Sequence, residues 1–131
     1  MFTENDPFPH KEHKSSEFAK ADMSGTKFNG VDLTDASFWA VLAHASFTDC
    51  NMAACKFNDV NLGQAEFINI NLSESSFKDI NLSNAKFSSL TLAGTHFSEL
   101  DMSNVEISDA NMQGMKINGI LVSDLLEKYS K

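Results

Sequence analysis

Cysteine is scarce in this chain, with two residues in 131, and a scaffold of this size built on disulfides needs more. The two, Cys50 and Cys55, have no zinc spacing and no second ligand pair, so both are expected to be free, buried thiols. No apolar run approaches the ~20 residues that span a bilayer. The first residues, Met1 to Lys14, hold both prolines and no apolar stretch of the secretory kind; the expectation is a cytoplasmic protein. Basic residues are in deficit, ten against eighteen acids, giving a net charge of −8. Nucleic-acid phosphates repel such a chain, which disfavours direct DNA or RNA binding. It also offers no basic patch to an anionic membrane. The same charge serves solubility. Also missing are a Ser-His-Asp order, a Gly-rich phosphate loop and a paired-carboxylate cleft. His10 and His13 flank Glu12, but that segment supplies no fixed scaffold for a metal.

What the chain does have is a repeat. Nine of its eleven phenylalanines stand at 18, 28, 38, 47, 57, 67, 77, 87 and 97. Midway between them stand Met23, Leu33, Leu42, Met52, Leu62, Leu72, Leu82, Leu92 and Met102, and the series continues through Ile107, Met112, Ile117 and Val122. A period of five fits neither a helix nor a plain strand. Two residues before each large centre comes a small or aliphatic residue, such as Ala36, Ala65, Ile80 or Val105. Centre and centre minus two point the same way, as in a strand. The following pair is drawn from Ser, Asn, Asp, Gly and Lys, which turn a chain. A chain that turns every five residues and always buries the same side coils around its own interior.

The two inward positions compensate in volume. Before Phe the partner is small, as at Ala45, Cys55, Ala65 and Ser75; before Leu or Met it is often larger, as at Val60, Ile70, Ile80 and Leu90. Where Phe gives way to Ile107 and Ile117, the partners grow to Val105 and Met115. Close packing demands such matching, and with the interior filled there is no room for a large substrate pocket.

The units read A-[D/N]-[L/M/F]-x-x, clearest at Ala21-Asp22-Met23-Ser24-Gly25, Val31-Asp32-Leu33-Thr34-Asp35 and Ala110-Asn111-Met112-Gln113-Gly114. Over Ser16 to about Asp124 the chain resembles the pentapeptide-repeat family. The resemblance implies an all-β fold, a right-handed quadrilateral parallel β-helix with four pentapeptides per coil, ended by a short C-terminal capping helix. Periodicity alone also allows a two-sided solenoid. With four units per coil, residues 20 apart stack. One face is then Phe18, Phe38, Phe57, Phe77, Phe97 and Ile117, and the opposite one Phe28, Phe47, Phe67, Phe87 and Ile107. At about 4.8 Å per coil, some five coils make a rod of roughly 25 Å. The expected organisation is an N-terminal cap or disordered segment over 1–15, the β-helix over 16–124 and a helical cap over 125–131.

The repeat slips once. Phe38 and Phe47 are nine residues apart, so one residue is missing near Trp39-Ala40-Val41-Leu42. Trp39, just after a centre, should lie partly outside, where it is either a binding anchor or, as favoured, packed over the irregular corner. Among outward positions, Lys27, Ser46, Glu66, Lys86 and Glu106 form a mixed-charge column. Asp32, Asn51, Asn71, Thr91 and Asn111 form a column expected to hydrogen-bond along the stack. Asp59, Asp79 and Glu99 form an acidic column, either a partner site or, as favoured, a solvated corner beside Lys56 and Lys78. His44 and His96 point outward on different faces. A solenoid must cover both ends. Phe2, Pro7, Phe8 and Pro9 could lid the first coil. Ser123 could cap a helix whose apolar side is Leu125, Leu126 and Tyr129. In family members of known resistance function a similar helix contributes to a dimer, so a two-fold homodimer through these residues is expected.

Three functions follow as expectations. The first is a rigid, non-enzymatic protein-interaction module of unknown partner, with Trp39, Asp59, Asp79 and Glu99 as candidate surface. The second is a DNA mimic, since some family members are acidic rods that bind DNA gyrase and protect it from fluoroquinolones. Against it stand the short rod, the interleaved Lys20, Lys27, Lys56, Lys78 and Lys86, and the lack of an insertion loop. The third, an enzyme, has no catalytic set and no cofactor motif behind it.

Overall fold

From Phe28 to Phe97 each Phe centre lies in a strand only two or three residues long, too short to stand alone and paired with a strand one coil before or after it. A computed structural model describes residues 17–19 and 22–129. The expectations placed on Phe2, Pro7, Phe8, Pro9, His10, Glu12, His13 and Lys20, with the whole 1–15 segment, lie outside the described residues.

The Phe-centred strands are β1 (Lys27–Asn29), β2 (Ser37–Phe38), β3 (Ser46–Thr48), β4 (Lys56–Asn58), β5 (Glu66–Ile68), β6 (Ser76–Lys78), β7 (Lys86–Ser88) and β8 (His96–Ser98). They form two parallel four-stranded sheets, β1-β3-β5-β7 and β2-β4-β6-β8. The Leu and Met faces are held by single parallel bridges, Asp32 to Asn51 to Asn71 to Thr91 on one side and Val41 to Asn61 to Asn81 to Asp101 on the other. Four columns make a four-sided parallel solenoid. Pairing Phe28 with Phe47 and Phe38 with Phe57 takes 19 residues, whereas Phe47 with Phe67 and Phe57 with Phe77 takes 20. The slip is thus absorbed within one coil.

Inside, the phenylalanines stack ring on ring, with centroids 4.7 Å apart for Phe57 and Phe77 and 5.1 Å for Phe47 and Phe67. Phe47, Phe57, Phe67 and Phe77 are fully buried, together with Met52, Leu62, Leu72 and Leu82. Phe28, Phe38, Phe87 and Phe97 are only partly covered. Cys50 and Cys55 are buried and free. Inward polar groups find backbone oxygens: Ser75 Oγ donates to Met52 O at 2.8 Å, Thr95 Oγ1 to Leu72 O at 2.6 Å, and Cys55 Sγ to Leu33 O. Burial pushes the Cys55 thiol up to about 11, against a smaller opposing hydrogen bond from the Ala36 backbone.

The corners have a uniform construction. From Met23 to Ile117, except after Phe38, the second residue after a centre adopts a left-handed backbone, among them Asp49 (φ 52°), Asp59 (φ 56°), Asn69 (φ 55°), Glu74 (φ 58°) and Asn84 (φ 56°). Asn and Asp tolerate this region better than other side chains. After Leu or Met centres the corner is a hydrogen-bonded turn, as in Ala65 N to Leu62 O at 3.1 Å, with the positive φ at its third residue as type II requires. The residue before the centre caps that turn. Asn61 Oδ1 accepts Gly63 N at 2.9 Å, Asn71 Oδ1 accepts Ser73 N at 3.0 Å, and Asn81 Oδ1 accepts Ser83 N at 2.8 Å. In the Asn-rich column Asn51, Asn71 and Asn111 accept in the same way from Ala53, Ser73 and Gln113 N, so their side-chain oxygens bond within each coil, in Asx turns, and not along the stack as expected. Asp22 and Asp101 sit in the same turns, and the hydroxyls and N–H groups of Ser24 and Ser103 hold their carboxyls below the usual range.

The regular stack stops before the series of centres does. Lys116–Ile117 (β9) pairs antiparallel with Ile120–Leu121 (β10), through Asn118 (φ 49°) and Gly119 (φ 81°). Two successive positive φ angles on Asn-Gly make the hairpin turn of type I′. Ile117 does not extend the Phe97 column; it is half exposed, as is Ile107. Helix α1 (Val122–Tyr129) follows at once. Its first residue is buried and donates its N–H to Met115 O at 3.0 Å. Ser123 lies inside the helix, so it is not the cap, and α1 packs on β10.

Candidate functional site

The slip is the loss of one defined residue. In the regular coil above it, Asn81 N donates to Val60 O at 3.3 Å; at the slip, Asn61 N donates to Ala40 O at 3.2 Å. Ala40 therefore plays the part of Val60, and Phe38 that of Phe57. What has gone is the left-handed corner residue, the slot filled one, two and three coils on by Asp59, Asp79 and Glu99. In regular corners that residue's N–H reaches the next coil, as Asp59 N does Lys78 O at 3.2 Å. The slip has no residue to make that bond, and β2 is correspondingly one residue shorter than β4.

The shortened corner puts Trp39 outside. Its side chain is 85% exposed, so it does not pack over the corner as favoured from sequence. One edge is fixed: indole Nε1–H donates to Asp59 Oδ2 at 3.1 Å. Two residues on, Val41 is 78% exposed. It occupies the slot that Asn61, Asn81 and Asp101 fill above it. Eight Asp or Asn side chains among the described residues cap their turns from the equivalent slots; valine cannot. Trp39, Ala40, Val41, Asp59, Val60, Asn61, Asp79 and Asn81 line one open depression of about 610 Å³.

Of the sequence-derived surface, then, Trp39, Asp59 and Asp79 come together. Glu99 does not line the depression; it shares Lys78 with Asp79, at 3.8 and 3.7 Å. These long, exposed pairs add little stability, but they ease the like-charge repulsion along the acidic column. Val41 was missed. Its signal was present in the sequence, as the apolar residue at the foot of a column continued by Asn61, Asn81 and Asp101.

On another face, Lys27, Ser46, Glu66 and Lys86 are in register as expected, with Lys86 Nζ 3.1 Å from Glu66 Oε1; Glu106, expected to continue the column, lies in no strand and the pairing ends at Lys86. At the C-terminal end Leu125 is partly buried, Leu126 half exposed and Tyr129 92% exposed. Among the described residues no group of three or more His, Cys, Asp or Glu is placed to hold a metal, and no helix is long and apolar enough to cross a membrane.

Comparison with known sequences agrees with the repeat. A profile described as a pentapeptide repeat region matches residues 40–117, and one for pentapeptide repeats (8 copies) matches residues 15–35. No curated protein matches the chain. Among solved structures, a pentapeptide repeat protein from the Arabidopsis thaliana thylakoid lumen is 19% identical, covers 67% of this chain and 69% of its own, and gives a TM-score of 0.26. QnrB1, a plasmid-mediated fluoroquinolone resistance protein, is 18% identical over 83% of this chain and 84% of its own, with a TM-score of 0.30.

Proposed function

The chain belongs to the pentapeptide-repeat family, and on that footing we propose that it is a rigid, non-enzymatic module that docks a protein partner on its flank. The slip corner carries this reading. Elsewhere on the regular coils the large apolar residues are turned inward, apart from the half-buried Ile68 after Phe67, and most outward slots are polar. At this one corner Trp39 and Val41 are both turned out, side by side, on a backbone held by parallel strands above. An exposed aromatic on a rigid frame is what an interface anchor needs. The cytoplasm is the proposed place of action. The test is retention of native partners by immobilised wild-type protein, a Trp39→Ala/Val41→Asn variant and a Glu66→Ala/Lys86→Ala variant. Partners should be lost only from the slip variant; a partner set unchanged by it contradicts flank docking.

A second reading is a DNA mimic that binds gyrase and protects it from fluoroquinolones. The net charge of −8 and the corner of Asp59, Asp79 and Glu99 favour it. The lysines interleaved on the same faces, Lys56 and Lys78 among them, weaken it. A supercoiling assay with fluoroquinolone decides: the flank reading expects no protection, and dose-dependent protection would select the mimic. A two-fold homodimer through Leu125, Leu126 and Tyr129 is proposed alongside either reading. The half-exposed Ile107, Ile117 and Ile120 at that end are the apolar surface a second copy would cover. Light scattering on the intact chain and on one ending at Ser123 tests it. A monomer at high concentration rejects it.

A further inference from the structure

We propose that the slip corner receives an extended basic segment of the partner, with an arginine stacked on the Trp39 indole and its guanidinium facing Asp59 and Asp79. This rests on the flank-docking reading and adds the chemistry of the occupant. The patch is apolar at its centre, with Trp39, Ala40 and Val41, and carboxylate at one side, with Asp59 and Asp79. An apolar partner alone would leave those carboxylates to be desolvated without compensation. An acidic one would meet the charge of the corner and of the whole chain.

A cation answers both halves of the site. The bond from Nε1 to Asp59 pins one edge of the indole and leaves the ring exposed, so part of the ordering needed to bind is already done. Arginine suits the ring better than lysine, because its planar guanidinium stacks on an aromatic while its N–H groups reach a carboxylate. Asp79 meets Lys78 only at 3.7 Å and in solvent, a contact an incoming cation can replace. Asn61 and Asn81 line the same depression with their side-chain oxygens tied into turns. Their amide N–H groups suit the carbonyls of an extended backbone. The valine at 41 gives up a turn cap that eight equivalent positions keep, and in exchange supplies apolar surface next to the ring.

The chain has one tryptophan, so its fluorescence reports on this site alone. The probes are a nonapeptide alternating arginine and alanine, its lysine twin and its glutamate twin, titrated at about 0.15 M salt to screen diffuse attraction. The arginine peptide should saturate a single site, change the tryptophan emission, and bind about tenfold tighter than the lysine twin; the glutamate twin should not bind. By calorimetry, Trp39→Ala and Asp59→Asn/Asp79→Asn should each weaken it by about tenfold or more, with Glu66→Gln as an unchanged control. Equal affinity for the arginine and lysine peptides, unaffected by Trp39→Ala, would mean diffuse acidic attraction and overturn the proposal, as would absence of saturation. If the peptides fail while retention of native partners still depends on Trp39 and Val41, the basic occupant is wrong and flank docking stands. If that retention is also independent of them, both fall.

Discussion

The corner Phe57-Asn58-Asp59-Val60-Asn61-Leu62 and the corner Phe38-Trp39-Ala40-Val41-Leu42 lie on the same two faces, one coil apart, and differ by one residue in length. The longer one closes with a left-handed Asp, buries Val60, caps its turn with Asn61 and shows solvent only polar groups. The shorter one drops the left-handed residue, puts alanine where valine packs, and shows a tryptophan and a valine. The strands on either side keep their pairing. A solenoid's structure is secured coil against coil, so a corner can be altered for display without unsettling the core, provided the inward residues stay in register.

The largest effect should come from the core that both corners share. Phe77→Ala removes a fully buried ring stacked on both sides, and should cost about 3–5 kcal/mol in chemical denaturation. Phe38→Ala, at the slip and only partly buried, should cost visibly less. Equal losses would mean that the slip coil is as tightly built as the middle.

An insertion sharpens the comparison further. One Asp placed between Trp39 and Ala40 restores the length of a regular corner and should change stability by less than about 1 kcal/mol. The same residue placed between Asn58 and Asp59 makes that corner too long and should cost about 2 kcal/mol or more. Matching costs at the two places would show that the slip is not a missing corner residue.

Turn capping should give a smaller, two-way effect. Asn61→Val removes the acceptor for Gly63 N–H and should destabilise by about 0.5–1.5 kcal/mol. Val41→Asn supplies the missing cap and should stabilise by a similar or smaller amount. Stabilisation together with lost partner binding would identify Val41 as a residue kept for the surface.

The smallest effect is a pH dependence. The Cys55 thiol is raised to about 11 by burial, so the folded state holds its proton where the unfolded chain has released it. Its contribution is complete below the ordinary thiol range and is lost as pH rises from there through about 11. Wild type should therefore lose more stability over that interval than Cys55→Ala, measured as the difference in denaturation midpoints. A parallel pH course in the two proteins would show that the thiol is not desolvated. The same burial predicts slow modification of both cysteines without denaturant.

The sequence made the stack legible through three features: the period of five, the Phe and Leu/Met alternation, and the exchange of volume between Ala65 or Ser75 before Phe and Ile70 or Ile80 before Leu. These arise from close packing inside, where each position has one role. The outside was less legible because its residues have local uses that a column diagram hides. Asn51 and Asn71 stack as drawn but bond to their own turns. At the C-terminal end, counting by fives carried Ile117 onto the Phe97 column, whereas Asn118-Gly119 imposes a hairpin and an antiparallel pair. A strong local turn signal overrode a weakening repeat. The slip is visible as a missing residue, and the place of Trp39 just after a centre sends it outward, as the structure shows; what fails is the favoured packing of the ring over the corner. A count of residues shows that a corner is tight, not whether its outward side chain lies down on it.

Trp39 stands outside an intact stack, and quenching of its fluorescence by acrylamide, a neutral quencher insensitive to the nearby carboxylates, tests that directly. With the native fold verified by circular dichroism, the emission should lie at the long-wavelength limit of a water-exposed indole. Its quenching should approach that of the unfolded chain, as its 85% exposure requires. A short-wavelength emission protected from acrylamide until the protein unfolds would place the ring over the corner and contradict the account.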